Sequence, residues 1–302
     1  MQPPRQSTHL GPRDLFVALV INIMWGLNII ASKMAVEAIG PFTAVALRQA
    51  VVFIVCFTAL RIVPGRMRPL LLLGVLSGAA FLVIINLSLL VTKNVSTLAI
   101  ASQLGAPFSL LLGIVFLKEK IHLPRMIGIG LAFAGVVVLV FDPSGQPEYL
   151  GLGLTAISAL IWAIGSLIQR QLRGVPVLTI YAWIGVIGTI ILVPVAWHFE
   201  PATIRALPDL PLRDFGWVIF SAIGSSVLGQ GGMAWLLQRH PISTVIPLTL
   251  ASPVIAVVAA SWFFETPLTP VMILGGILAM AGVTIITVRS ARPGGGPVEK
   301  RA

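Results

Sequence analysis

Residues 24–33 read MWGLNIIASK and lie within the apolar run from Asp14 to Lys33. About 20 apolar residues, at 1.5 Å rise each, cross about 30 Å of hydrocarbon, so the run is long enough to span a bilayer. Yet it carries Asn22, Trp25, Asn28, Ser32 and Lys33. At 100° per residue these five fall in an arc of about 140°, and Ile23, Met24, Leu27, Ile30 and Ala31 fill the opposite side. Hydrocarbon offers polar groups no hydrogen-bond partner, so the arc must face protein or a water-filled cavity. Two readings stand: Asn28 and Ser32 bond a neighbouring helix, or they line a cavity. Lys33, at the end of the run, is expected to snorkel to the outer interface.

The whole chain has this character. Of 302 residues, 57% are hydrophobic and only 10% are charged. Mean hydropathy is +1.00. A soluble domain carries about 25% charged residues. Too little polar surface remains to cover a water-soluble sphere, which makes this an integral membrane protein. The apolar runs are continuous rather than alternating, which predicts helices and excludes a barrel. Ten runs, at about 14–33, 41–62, 69–91, 95–117, 123–141, 149–171, 177–198, 213–237, 243–264 and 270–288, predict ten transmembrane helices. The connections are short and carry Pro, Gly or charge, as in IVPGRMRP and FDPSGQPEY.

The net charge of +10 is a topology signal. Arg5, Arg13, Arg61, Arg66, Arg68, Lys118, Lys120, Arg125, Arg170, Arg173, Arg239 and the basic carboxyl tail fall on alternate connections. The other connections hold only Lys33, Lys93, Arg205 and Arg213. Basic loops stay cytoplasmic, so both termini are expected there, in a multi-pass protein of the cell (inner) membrane. Contact with anionic lipid is a secondary expectation, and no nucleic-acid partner is expected. The single cysteine, Cys56, excludes an intramolecular disulfide.

The chain repeats itself. Trp25 precedes Lys33 by eight positions, as Trp162 precedes Arg170. Pro107 precedes Glu119 by twelve, as Pro253 precedes Glu265, and Pro124 and Pro270 follow five later. Both halves close on a glycine-rich helix containing Ala-Gly-Val. This gives a polar tail (1–13), a first five-helix repeat (14–145), a second (146–288) and a basic tail (289–302). Five is odd, so the second repeat starts from the opposite side of the membrane. The expected fold is therefore an all-α membrane protein of two inverted five-helix repeats. Inverted repeats underlie alternating access, with the solute site near the midplane between the halves.

Trp25-Gly26-Leu27-Asn28 with Lys33, then Pro41 and Arg48, resembles the opening of the EamA domain of the drug/metabolite transporter superfamily. Pro253, Glu265, the following Pro-Leu-Thr and the closing glycine-rich helix resemble its end. The likeness covers about residues 14–288. The second repeat departs in reading Phe263-Phe264-Glu265 where many members have Leu-Gly-Glu. The resemblance implies a ten-helix metabolite transporter, often an exporter of amino acids or related small solutes.

Several in-membrane residues are candidates for the solute cavity. Arg48 lies about 10 Å into the second span. It can hold a carboxylate through a two-pronged contact, or it can snorkel or pair with Glu37. Asn86, Ser102, Gln103, Trp162, Ser166, Gln169, Gln230, Thr249 and Ser252 are further polar or amphipathic groups within spans. Pro107 and Pro253 each free the carbonyl four residues back, of Gln103 and Thr249, and are candidate hinges. Glu119 and Glu265 end their spans at opposite faces and are expected to act as gating or structural elements. GVLSG (74–78), GIGLAFAG (128–135) and GGILAMAG (275–282) are small-residue faces suited to close helix contact.

No acid or histidine lies at mid-membrane, which argues for weak or no carboxylate-based proton coupling. Walker A, His-Glu-x-x-His and Gly-x-Ser-x-Gly patterns are missing, so no catalytic residue, metal or cofactor is expected. The leading function is a carrier exporting small metabolites, amino acids or their derivatives first. A multidrug, organic-cation or nucleoside exporter is the alternative within transport. A membrane-embedded enzyme or a lipid flippase is the alternative from another class. The expected partners are a small solute and membrane lipid, with a monomer plausible.

Overall fold

The computed structural model describes residues 10–117, 123–141, 148–240 and 242–291. Among them every regular element is helical. The helices are α1 (Pro12–Ile39), α2 (Pro41–Cys56), α3 (Met67–Val91), α4 (Val95–Phe116), α5 (Leu123–Val140) and α6 (Tyr149–Arg170). Then follow α7 (Val177–Phe199), the short α8 (Pro201–Ala206), α9 (212–239), α10 (Ile242–Leu248), α11 (Ala251–Phe263) and α12 (Pro270–Ala291). Glu119 lies outside the described residues, as do residues 1–9 and 292–302 of the tails.

Local sequence sets several boundaries. Proline opens α1, α2, α8 and α12, where its missing N–H costs nothing. Gly40, at φ 78°, turns the chain between α1 and α2. The Asn94 side chain caps α4 by accepting from the amides of Ser96 and Thr97 at 3.1 and 3.4 Å. At the end of α11, Glu265 takes the left-handed φ of 53°. The Thr266 amide then donates back to the Ser261 carbonyl at 3.1 Å, the bond that closes a Schellman turn.

Eight of the described helices are long and apolar enough to cross a membrane: α1 to α7 and α12. This is a multi-pass membrane protein. The other two expected runs, 213–237 and 243–264, are not among these eight. Residues 212–239 are helical throughout, but Phe220–Gly229 is wound as a π-helix. The run 242–263 is broken by a turn at Thr249 and Leu250. Large apolar side chains such as Phe16, Ile54, Phe116, Ile190 and Trp262 are exposed on outward faces, where hydrocarbon can cover them.

The most extensive helix pairs are α5 with α12, α2 with α7, α1 with α9, and α3 with α6. In the first pair the glycine faces seen in the sequence meet each other. A Cβ on Gly135 would lie 2.5 Å from the Gly275 carbonyl oxygen, and one on Gly282 would lie 2.5 Å from that of Gly128. Only glycine lets the two backbones come this close.

One end of the bundle is tied by polar contacts. The buried Lys33 ammonium donates to the carbonyls of Leu89 and Thr92 at 2.7 and 2.9 Å and pairs with Glu37 at 3.1 Å. Lys33 therefore does not snorkel; it neutralises the carbonyl end of α3. Glu37 is thereby engaged, and the pairing of Arg48 with Glu37 is not formed. The Glu200 carboxylate accepts from the amides of Phe42 and Thr43 and from the Thr43 hydroxyl, at 3.1, 2.7 and 2.6 Å. It caps α2 from the end of α7. Glu148 accepts from the amides of Lys93 and Asn94 at 2.8 and 3.0 Å.

Candidate functional site

A cavity of about 440 Å³ lies between the helices, with walls from α1, α2, α3, α4, α6, α7, α9 and α11. From α1 it takes Trp25, Asn28, Ile29 and Ser32. The polar arc of the opening stretch thus faces this space, but only over its middle. Asn22 and Lys33, at the edge of the arc, are turned away. Asn22 donates to the carbonyls of Ala18 and Leu248, both at 2.7 Å.

Asn28 does two things at once. Its Oδ1 accepts a hydrogen bond from the Ser221 hydroxyl at 2.7 Å, which ties α1 to α9. The same side chain lines the cavity. Trp25 donates through its indole N–H to the Ser225 carbonyl at 3.3 Å and lays its ring along the wall.

Two π-helical stretches border the cavity, Gly74–Ala80 in α3 and Phe220–Gly229 in α9. A π-turn shifts the backbone bonding register, and such turns recur at functional sites. Here side chains from facing helices dock on the carbonyls. Gln49 donates to the Gly78 and Ile184 carbonyls at 2.9 and 3.3 Å, joining α2 to α3 and α7. A Cβ on Gly78 would lie 2.6 Å from the Ile184 oxygen, so α3 and α7 touch there through backbone.

Arg48 projects into the cavity from α2. One terminal nitrogen donates to the Ser226 hydroxyl at 3.1 Å, and its Nε is buried without a partner. Arg48 is the one charged residue among the described lining residues. No acid stands beside it there.

Ser102, Gln103, Trp162, Gln230, Ser252 and Pro253 complete the expected lining that the structure brings together. The Ser102 and Ser252 hydroxyls donate to carbonyls three residues back, at 2.8 and 3.0 Å, where each helix breaks. In α4 the break is a 3₁₀ turn at Ser102–Leu104; before α11 it is the turn at Thr249 and Leu250. Pro107 and Pro253 follow these breaks, as expected of rings that remove an amide donor. Pro253 lines the cavity, and Pro107 is buried outside the lining.

Asn86, Ser166 and Thr249 are not among the lining residues. Asn86 is buried and donates to the Pro41 carbonyl at 3.4 Å. The Ser166 and Ser109 hydroxyls pair at 3.1 Å between α6 and α4. Glu265 is exposed at the helix end described above. The lining also includes Gln49, Ser77, Tyr181, Ser225 and Ser226, which sequence reading did not single out. Gln49 follows Arg48 directly, and Ser225 and Ser226 sit in a small-residue run, FSAIGSSVLG, that marks the π-helix only in hindsight. Among the described residues no group of three or more His, Cys, Asp or Glu could hold a metal ion.

These features define a multi-pass helical membrane protein built around a polar cavity. The sequence profile of the EamA-like transporter family matches it twice, over residues 13–141 and 149–288, and the chain belongs to that family. It is thus a membrane transporter. It is similar to an uncharacterized transporter of Archaeoglobus fulgidus, 29% identical over 90% of this chain and 97% of the relative. It is also similar to a "probable amino-acid metabolite efflux pump" of Escherichia coli, 27% identical over 91% of this chain and 95% of that one. The relative in Salmonella typhimurium with the same name is 26% identical. A solved crystal structure shares the fold at a TM-score of 0.62 and 17% identity, covering 92% of this chain and 97% of that one. The family and these names indicate a transporter rather than an enzyme.

Proposed function

We propose that the protein exports small metabolites, amino acids or their derivatives first, by alternating access through the cavity between two inverted five-helix repeats. On this reading α1 to α5 form one repeat, and α6, α7, α9, α10 with α11, and α12 form the other. The contact pattern supports a two-fold exchange of the halves. α1 packs on α11 and α9, as α6 packs on α4 and α3; α2 meets α7, and α5 meets α12. The π-helices of α3 and α9 correspond under the same exchange, as do the breaks in α4 and before α11. Inverted repeats of this kind place the solute at their interface.

The departure from two-fold symmetry supports a particular state. α1 packs on α2 and α3 of its own half, whereas α6 makes no comparable contact with α7 or α9 among the described residues. Lys33, Glu148 and Glu200 tie the end expected outside, while at the other end Asp14 and His240 pair at 3.2 Å between α1 and the end of α9. Toward that other end Gln169 lines the cavity and is exposed. The arrangement corresponds to an inward-facing carrier, ready to load from the cytoplasm.

The observation that carries this reading is the polar cavity itself, walled by helices of both halves. It is tested by reconstitution into liposomes and a screen of labelled amino acids, organic cations and nucleosides. Amino acids are expected to move faster than in empty vesicles. Asn28→Ala is expected to lower transport roughly fivefold, the equivalent of one hydrogen bond of about 1 kcal/mol. No solute moving above the empty-vesicle rate would defeat the reading. Normal transport by the variant would confine Asn28 to its bond with Ser221.

A further inference from the structure

We propose that the cavity reads the carboxylate of its solute through Arg48 and leaves the amino group unread. Its substrates are then small organic monocarboxylates, of which amino acids are one kind. This rests on the transport reading above and narrows its substrate class.

The charge inventory is one-sided. Arg48 is the one charged group among the described lining residues, and no lining acid compensates it. The nearest candidate partner in sequence terms, Glu37, is held by Lys33. A guanidinium has five donors in a planar fork. The 3.1 Å bond to the neutral Ser226 hydroxyl occupies one terminal nitrogen, and Nε is buried without a partner. An uncompensated charge away from bulk water is costly, and a carboxylate entering the cavity offsets that cost. The fork matches a carboxylate in two parallel bonds, which a lysine could not reproduce.

The amino end of a solute meets no such demand. The described lining offers it neutral hydroxyls, side-chain amides and the rings of Trp25, Trp162 and Tyr181. These can accept an ammonium, but none is left costly by its absence. A solute with an ammonium and no carboxylate would meet the repulsion of Arg48 without the carboxylate contact that offsets it.

The test measures liposome flux of whichever of labelled leucine, threonine and phenylalanine moves fastest. The competitors are the unlabelled N-acetyl derivative and the amide of the same amino acid. The N-acetyl acid is expected to inhibit within a fewfold of the parent, and the amide at least tenfold more weakly. Arg48→Gln is expected to lower flux at least tenfold, and Arg48→Lys to recover part of it. The competitor ranking is read on the unaltered protein, so it stands even if the variants fold poorly. An amide that competes as well as the parent overturns the proposal and leaves the transport reading intact. An N-acetyl acid that fails to compete overturns it too, since the amino group is then read. If none of the three labelled amino acids moves above empty vesicles, the amino-acid transport reading fails and the proposal with it.

Discussion

Gly135→Leu is expected to leave little folded protein in the membrane. A Cβ at this position would lie 2.5 Å from the Ala279 amide nitrogen and 2.5 Å from the Gly275 oxygen. Both are backbone atoms of α12, so no side chain can swing aside. The helices must separate, and the close contacts along the most extensive pair in the bundle are lost together. In a bilayer this matters more than in water, because lipid tails are as apolar as leucine and helix association rests on close packing. Overpacking of this kind costs about 1–3 kcal/mol and occasionally more. Gly130 supplies the internal control. It lies on the same helix, yet a Cβ there meets nothing within 4 Å. Gly130→Leu is expected to express and elute from size exclusion as the parent does, whereas Gly135→Leu aggregates. Equal yields of the two variants would show that the α5–α12 contact does not hold the fold.

Lys33→Met is expected to destabilise the protein by about 1–3 kcal/mol for each buried carbonyl it leaves unsatisfied. The variant orphans the carbonyls of Leu89 and Thr92 at the end of α3, where little solvent can replace the ammonium. Lys33 itself is only 6% exposed. The ion pair with Glu37 is a lesser part, because the Glu37 side chain is 49% exposed and exposed pairs contribute about 0–1 kcal/mol. Glu37→Gln is therefore expected to leave the melting temperature in detergent nearly unchanged, while Lys33→Met lowers it clearly. Lys33→Arg keeps a cation near the carbonyls and is expected to recover part of the loss. A larger effect from Glu37→Gln than from Lys33→Met would assign the tie to the ion pair.

Much of this architecture was legible in the sequence, because bilayers impose strong rules. Continuous apolar runs marked the eight helices that are long and apolar enough to cross a membrane, and the glycine spacing at 128–135 and 275–282 marked the two faces that meet. The arc on α1 named three wall residues, Trp25, Asn28 and Ser32. The arc could not say where the wall ends. Asn22 and Lys33 differ from those three by a fraction of a turn, and the carbonyls of Leu248, Leu89 and Thr92 that receive them come from distant parts of the chain. The π-helices were illegible for another reason. A bonding register that slips by one residue leaves no pattern in composition, so Gln49, Ser225 and Ser226 had no visible link to the cavity. Lys33 looked like an interfacial anchor because sequence shows its position near a helix end, not the two carbonyls waiting there.

Passage of solute through this one cavity is tested most directly by plugging it. Ser102 lines the space and is exposed to it. Ser102→Cys in a Cys56→Ala background gives a single thiol, since Cys56 is the only native cysteine. The protein is reconstituted, labelled to completion with a bulky thiol reagent, and its amino-acid flux is measured. Flux is expected to fall to the empty-vesicle rate, and saturating solute is expected to slow the labelling. Full labelling with undiminished flux would contradict a route through the cavity.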